Sequence, residues 1–238
     1  MPHAVSRLRD ERLARSKGEY QGRGALLVRC ERCRVSVEYC ICNWQPEVTA
    51  ESAVCLLMHD AEPMKPTNTG WLIADVVQDT FAFAWSRTEV DEGILALLAD
   101  PQWQPYVVFP EEYAAAERVV HRVPTAELKQ AGKRPLFVVL DGTWIQARKM
   151  FRRSAYLADL PVLSVQPDEI SRYRLRRSTR EEHLCTAEVT ALCLHLAEDT
   201  TAAAALEKWF ARFSRHYMAS RKPPTEAEKK ALRNGTAF

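Results

Sequence analysis

Short apolar runs rich in β-formers, separated by stretches with helical spacing, set the strongest limit on what this chain can become. The runs Ala53–Met58, Tyr106–Phe109, Leu136–Leu140 and Pro161–Val165, with a weaker one at Thr80–Trp85, are four to six residues long and bounded by turn signals. Strands buried on both faces take this form. Between them, Gly70–Asp79, Asp91–Ala99, Tyr113–Val119 and Thr143–Phe151 carry helical spacing. This alternation predicts an α/β domain with a mostly parallel sheet flanked by helices. Two more helices are expected at Glu182–Ala197 and Thr201–Ser220, the latter with Leu206, Phe210, Phe213 and Tyr217 on one face. After Pro223 and Pro224, Thr225 and Glu228 read as a capping box opening a short charged helix or a frayed tail.

A length of 238 residues suits one large domain with a small appendage. At 47% apolar and 27% charged, the chain is neither disordered nor a fibre nor a small disulfide scaffold. No apolar run reaches the length of a membrane span. The first residues lack the apolar stretch of a secretory leader, so a soluble, cytoplasmic protein is expected. A monomer is the expectation for its oligomeric state. The expected organisation is a basic segment at 1–24, a four-cysteine knuckle at 25–46, an α/β domain at 47–220 and a charged tail at 221–238.

A net charge of +2 conceals an uneven distribution. Residues 145–180 hold nine Lys or Arg against three acids, residues 1–24 six against three, and residues 212–238 seven against two. Positive charge gathered in blocks makes an anionic partner such as RNA a candidate. Solvated faces and frayed ends produce the same pattern.

Four of the seven cysteines fall within thirteen residues, as Cys30-x2-Cys33-x6-Cys40-x-Cys42. Four thiolates complete a closed tetrahedral zinc site, and Cys-x2-Cys is a common half of one. The surrounding sequence is too polar and short to bury a core, so a metal is a natural source of its folding energy. The neighbours Arg29, Arg32 and Arg34 favour thiolate. Free thiols and iron–sulfur ligation are the alternatives, and the Cys-x-Cys half is tighter than usual. Cys55, Cys185 and Cys193 lie in apolar runs and read as small core residues.

In open α/β sheets, ligands bind beyond the carboxyl ends of the strands. The polar residues there are His59, Asp60 and Glu62, then Lys65 to Gly70, then Phe109-Pro110-Glu111-Glu112, and Asp141-Gly142-Thr143-Trp144. Asp141 ends an apolar run before a glycine turn and a helix start. It is either a positioned base or that helix's N-cap. His59 and His195 read as packing histidines. There is no Gly-x-Gly-x-x-Gly, Walker A loop, Gly-x-Ser-x-Gly or His-Glu-x-x-His.

Asp141-Gly142-Thr143-Trp144 resembles the Asp-x-Thr-Trp signature of the DTW-domain family. Several other features agree, in the expected order from about Cys30 to Leu196: the four cysteines, Thr67-Asn68-Thr69-Gly70, Phe109-Pro110, Ile145 to Met150, Tyr173-Arg174-Leu175-Arg176, and Thr186-Ala187-Glu188. Cys185 and Val189 depart from the family's usual Ser and Ala, small changes that imply altered packing only.

The resemblance implies a fold related to the SPOUT methyltransferases, with a knotted cofactor site. It implies transfer of the 3-amino-3-carboxypropyl group of S-adenosylmethionine to N3 of a tRNA uridine, with release of 5′-methylthioadenosine. In that reading Asp141 is the base, Trp144 packs the site and Thr143 fixes the turn. Thr69, Gly70, Phe109, Pro110, Asp141, Gly142, Thr186 and Glu188 hold the donor, Glu188 taking its amino group unless it merely caps a helix. Arg148, Lys149, Arg152, Arg172, Arg174 and Arg176 hold tRNA phosphates. The competing readings are a SPOUT-like RNA methyltransferase and a non-catalytic zinc-knuckle RNA-binding protein.

Overall fold

The computed structural model describes residues 2–16, 27–165, 184–221 and 225–233. Among these, six strands form one all-parallel sheet in the order β2-β1-β5-β3-β6-β4. The strands are β1 (Ala53–Met58), β2 (Thr80–Ala84), β3 (Trp103–Val108), β4 (Val119–Val120), β5 (Arg134–Asp141) and β6 (Val162–Leu163). Helices α1 (Ala4–Ala14), α2 (Gly70–Val76), α3 (Glu92–Ala99), α4 (Thr125–Gln130) and α5 (Trp144–Arg153) are joined by α6 (Thr186–Leu196), α7 (Thr200–Ala219) and α8 (Glu226–Arg233). The predicted α/β class with a parallel sheet is the class observed.

The sheet is covered on both faces, and the two-residue period of its strands shows how. Val54, Leu56 and Met58 of β1, with Phe137 and Val139 of β5, join a core shared with α1, α2, α6 and α7. Ala53, Cys55 and Leu57, with Leu136, Val138 and Leu140, face the opposite way, toward Ile94 of α3 and Met150 of α5. The cysteine turn joins the first of these cores through Cys33, Val35, Tyr39 and Ile41. Helix α1 is held against the body by Arg12, whose guanidinium donates to both carboxylate oxygens of Asp60 at 2.7 and 2.8 Å.

The helical spacing read over Tyr113–Val119 does not become an α-helix. Two 3-10 turns, Glu111–Tyr113 and Ala116–Arg118, stand there instead, followed by β4. Ala115 and Ala116 are exposed, so the segment has no apolar stripe to bury. The β-branched pair Val119-Val120 instead pairs with Val162 and Leu163 at the sheet edge. The chain after β6 passes through residues 166–183, outside the described residues, and with it goes the knot that the resemblance implies. Among the described residues, no helix is long and apolar enough to cross a membrane.

Candidate functional site

The centre of the sheet fixes the site. β5 lies between β1 and β3, so the carboxyl ends of three strands adjoin, with Asp141 in register with Met58. Asp141 is 4% exposed. Its Oδ2 accepts from Asn68 Nδ2 at 2.7 Å and its Oδ1 from Thr186 Oγ1 at 2.8 Å.

Those two donors come from the starts of two helices. The Asn68 amide also accepts from the Trp71 backbone N–H at 3.2 Å, at the opening of α2. Thr186 is the first residue of α6, and the Ala187 N–H donates to Thr69 Oγ1 at 3.3 Å. Two helix N-termini therefore meet at one buried carboxylate, where their dipoles favour negative charge. Burial acts more strongly. It raises Asp141 to about 6, against the pull of Asn68 and Thr186; Glu62 adds to the rise and Lys65 opposes it.

Gly70 is required by this packing, because a Cβ there would lie 2.9 Å from Asp141 Oδ2 and 3.1 Å from Asn68 Oδ1. Asp141 does not cap the following helix. Thr143 does, accepting from the Gln146 N–H at 3.4 Å while the Gln146 side chain accepts from the Thr143 N–H at 2.8 Å. With Gln146 beside it, Gly142 closes the turn. The carboxylate is thus fixed in place without serving the helix.

A wall of aromatic rings stands at the end of β3. Phe109 stacks on Phe151 at 4.4 Å and on Trp144 at 5.4 Å, and Tyr113 meets Trp144 edge-on at 5.6 Å. Pro110 begins the 3-10 turn that carries Tyr113. Trp144 is 39% and Ile145 73% exposed, large apolar surfaces left in solvent beside the crevice. Along α5, Arg148 lies 5.8 Å over the Trp144 ring and Lys149 5.8 Å over Trp85, while Arg152 is exposed.

The structure thus joins Thr69, Gly70, Asp141 and Thr186 in one polar cluster and places Phe109 and Trp144 in an aromatic one. Glu188 accepts from the Cys185 N–H at 2.9 Å, so one carboxylate oxygen closes the start of α6. Arg172, Arg174 and Arg176 lie outside the described residues. Sequence reading placed Asn68 within a polar string without assigning it to Asp141; its position before a helix-opening glycine was the available signal. His195 pairs with Glu207 at 3.2 Å. His59 stacks on Trp85 at 6.1 Å, and its buried Nδ1 has no hydrogen-bond partner among the described residues.

The four cysteine sulfurs lie within 4.8 Å of one another, with Cys30 and Cys42 3.6 Å apart and Cys33 and Cys40 3.8 Å apart. Tetrahedral zinc with Zn–S near 2.3 Å requires sulfurs about 3.8 Å apart, so the donor set fits that ion. The first two cysteines are brought together by a tight turn. Arg34 N–H donates to Cys30 O and Cys30 N–H to Val35 O, both at 2.8 Å, with Arg34 in the left-handed region at φ 63°. Burial opposes ionisation of Cys30, but N–H groups of Cys33 and Arg32 and the Cys42 thiol outweigh it and bring the group to about 7. Burial pushes Cys33 up to about 12 and also raises Cys42.

Arg34 couples this turn to the crevice. Buried at 5% exposure, its guanidinium donates to Pro63 O at 2.8 Å and Met64 O at 2.9 Å and lies 4.9 Å over the Trp71 ring. It therefore braces the segment that leads into Asn68.

Residues 27–218 match the DTW domain. The protein named tRNA-uridine aminocarboxypropyltransferase 2 of Drosophila melanogaster is 26% identical over 179 residues, covering 71% of this chain and 66% of the fly protein. The chain thus spans just under two thirds of that relative's length. No solved structure matches the chain significantly.

Proposed function

The chain belongs to the DTW-domain family, and from that premise we propose that it transfers the 3-amino-3-carboxypropyl group of S-adenosylmethionine to N3 of a tRNA uridine. The observation that carries the reading is the Asp141 carboxylate. It is buried, held by one donor on each oxygen and set at the meeting of three strand ends. The fly relative's name supplies the reaction class.

Uracil N3–H is a weak acid, so its removal calls for a base positioned in a water-poor pocket. Each Asp141 oxygen accepts one hydrogen bond from the protein and keeps a second lone pair for substrate. In the proposed step that lone pair takes the N3 proton. N3 forms a bond to the γ-carbon of the donor's aminocarboxypropyl arm as the bond from that carbon to the sulfonium breaks. The electron pair goes to sulfur, and neutral 5′-methylthioadenosine leaves. Which of the sulfonium's carbons reacts is a matter of alignment rather than added chemistry.

The aromatic wall of Phe109, Tyr113 and Trp144 fits a flat, cationic donor, because ring faces attract a sulfonium and stack on an adenine. Thr69, Gly70, Gly142 and Pro110 contribute backbone and hydroxyl groups around it, and the remaining oxygen of Glu188 lies at the same end of α6 as Thr186. Arg148, Lys149 and Arg152, with Arg172, Arg174 and Arg176, contribute phosphate contacts. The uridine leaves its stack to reach the crevice. Zinc held by Cys30, Cys33, Cys40 and Cys42 acts as a structural ion that keeps the turn, and through Arg34 the segment before Asn68, in place.

Incubation with an unmodified tRNA and S-adenosylmethionine tests the reading by its by-product. Release of 5′-methylthioadenosine supports it. Release of S-adenosylhomocysteine instead replaces it with methyl transfer.

A further inference from the structure

Away from the crevice, the cysteine turn and the C-terminal half of α7 build a second cationic surface for which the transfer chemistry has no use. Arg29, beside the first cysteine, lies 5.3 Å over the Tyr217 ring, which is itself stacked on Phe213 at 5.6 Å. Arg212 lies 4.8 Å over Trp44, whose ring packs on His216 at 5.8 Å. A guanidinium laid on a ring has its face covered while its N–H edges point sideways, an arrangement suited to phosphate oxygens.

Among the described residues, no carboxylate pairs with those edges. Among the described residues, neither Arg212 nor Arg215 pairs with an acid. Arg29 donates through Nη1 to Arg34 O at 3.2 Å, and its buried Nε has no hydrogen-bond partner among the described residues. Burial and the charge of Arg215 together hold Arg212 below its usual range, and both arginines act on His216. Like charges three residues apart on a helix destabilise it, and an anion seated between them would remove that repulsion.

The partner's chemistry follows from what adjoins the arginines. Val28 is 70% and Val37 51% exposed, and they are joined by a Val37 N–H to Val28 O bond of 3.2 Å, next to Arg29. Exposed aliphatic surface beside half-buried aromatic rings that carry guanidinium groups, none of them paired with a carboxylate among the described residues, suits a strand that alternates flat bases with phosphates. An acidic peptide would use the charges and leave the apolar surface idle.

We propose that Arg29, Arg212 and Arg215 form a second RNA-binding surface, shared by the cysteine turn and α7, that takes phosphates of the tRNA outside the reaction crevice. This rests on the reading of tRNA as the substrate. A transferase acting on one nucleotide of a large RNA gains affinity and register from such remote contacts.

The test is binding of an unmodified tRNA transcript by fluorescence anisotropy across a salt series, with the double variant Arg212→Gln, Arg215→Ala. Glutamine keeps a flat amide on Trp44, and the exposed Arg215→Ala alone serves as a variant that folds without question. The double variant should weaken binding roughly tenfold near 0.1 M salt and make the slope of log K against log[salt] less steep by about 1.5. Arg215→Ala should give about half that change in slope. Donor affinity by calorimetry and turnover at saturating tRNA should stay unchanged. If the unaltered protein binds tRNA and both variants match it in affinity and slope, this surface is refuted while the transferase reading stands. A protein that binds no tRNA at any salt removes both. Loss of affinity for polyglutamate, with tRNA binding intact, would make the surface a protein-docking site and refute the RNA assignment.

Discussion

Replacing Asp141 by Asn should abolish transfer and yet stabilise the fold at neutral pH. The carboxyl is raised from 3.8 to about 6, chiefly by burial. An acid whose pKa is raised by folding binds more protons in the folded than in the unfolded state between those values, so stability falls as pH rises through that window. Two units correspond to about 3 kcal/mol of cost, fully present above pH 6 and absent below about pH 4. The substituted amide would carry no charge to desolvate. Its oxygen can accept from Asn68, and its NH2 can donate to Thr186 Oγ1 once that hydroxyl turns, so both neighbours keep a partner.

Allowing for poorer hydrogen-bond geometry, about 1–2 kcal/mol of net stabilisation is expected at pH 7.5, or roughly 3–6 °C in Tm for a chain of this size. The assay is thermal or urea unfolding of both proteins at pH 4.5 and 7.5, beside single-turnover transfer. The gap between them should shrink at the lower pH, where the native carboxyl is largely protonated. A variant less stable than the parent by the same amount at both pH values would refute the claim that Asp141 is a desolvated, poised base.

Three other outcomes follow from the same geometry. The pH profile of single-turnover transfer should fall on the acid side with an apparent pKa near 6, and Asn68→Ala, which removes a donor to the carboxylate, should shift it upward; an unmoved profile would sever Asn68 from the base. Gly70→Ala places a Cβ 2.9 Å from Asp141 Oδ2, so it should lower turnover far more than Tm, and a variant with full turnover would contradict the packing. Arg34→Ala leaves two buried carbonyls without donors and should cost about 2–4 kcal/mol by urea unfolding, with under 1 kcal/mol contradicting the brace.

The fold was legible where its own periodicity decided it. β1 occupies the residues read for it, Ala53–Met58, because a continuous apolar run between turn signals has little alternative to a buried parallel strand. α5 and α7 followed from spacing alone. Helix α1 escaped because only Val5 and Leu8 of its residues are buried, too few to show a helical stripe; the Arg12–Asp60 pair that adds to its docking lies 48 residues apart in the chain, which no local pattern announces. α4, a single buried Leu128 in six residues, was too short to register. Asp141 stood out as a carboxylate at a strand end, but its state depends on donors 73 residues before it and 45 after it. The cysteine spacing pointed to a four-sulfur cluster, and the structure brings those sulfurs together, whereas the use of Arg34 to tie that turn to the crevice appears only once Pro63 and Met64 are seen beneath it.

The most direct measurement is mass spectrometry of nucleosides from an unmodified tRNA after incubation with the protein and S-adenosylmethionine. Transfer through Asp141 should yield a uridine carrying an aminocarboxypropyl group, formed in equal amount with 5′-methylthioadenosine and missing when the Asp141→Asn variant replaces the native chain. A methylated nucleoside would keep the crevice but contradict the chemistry, and unchanged nucleosides across the whole tRNA pool would contradict transfer to tRNA altogether.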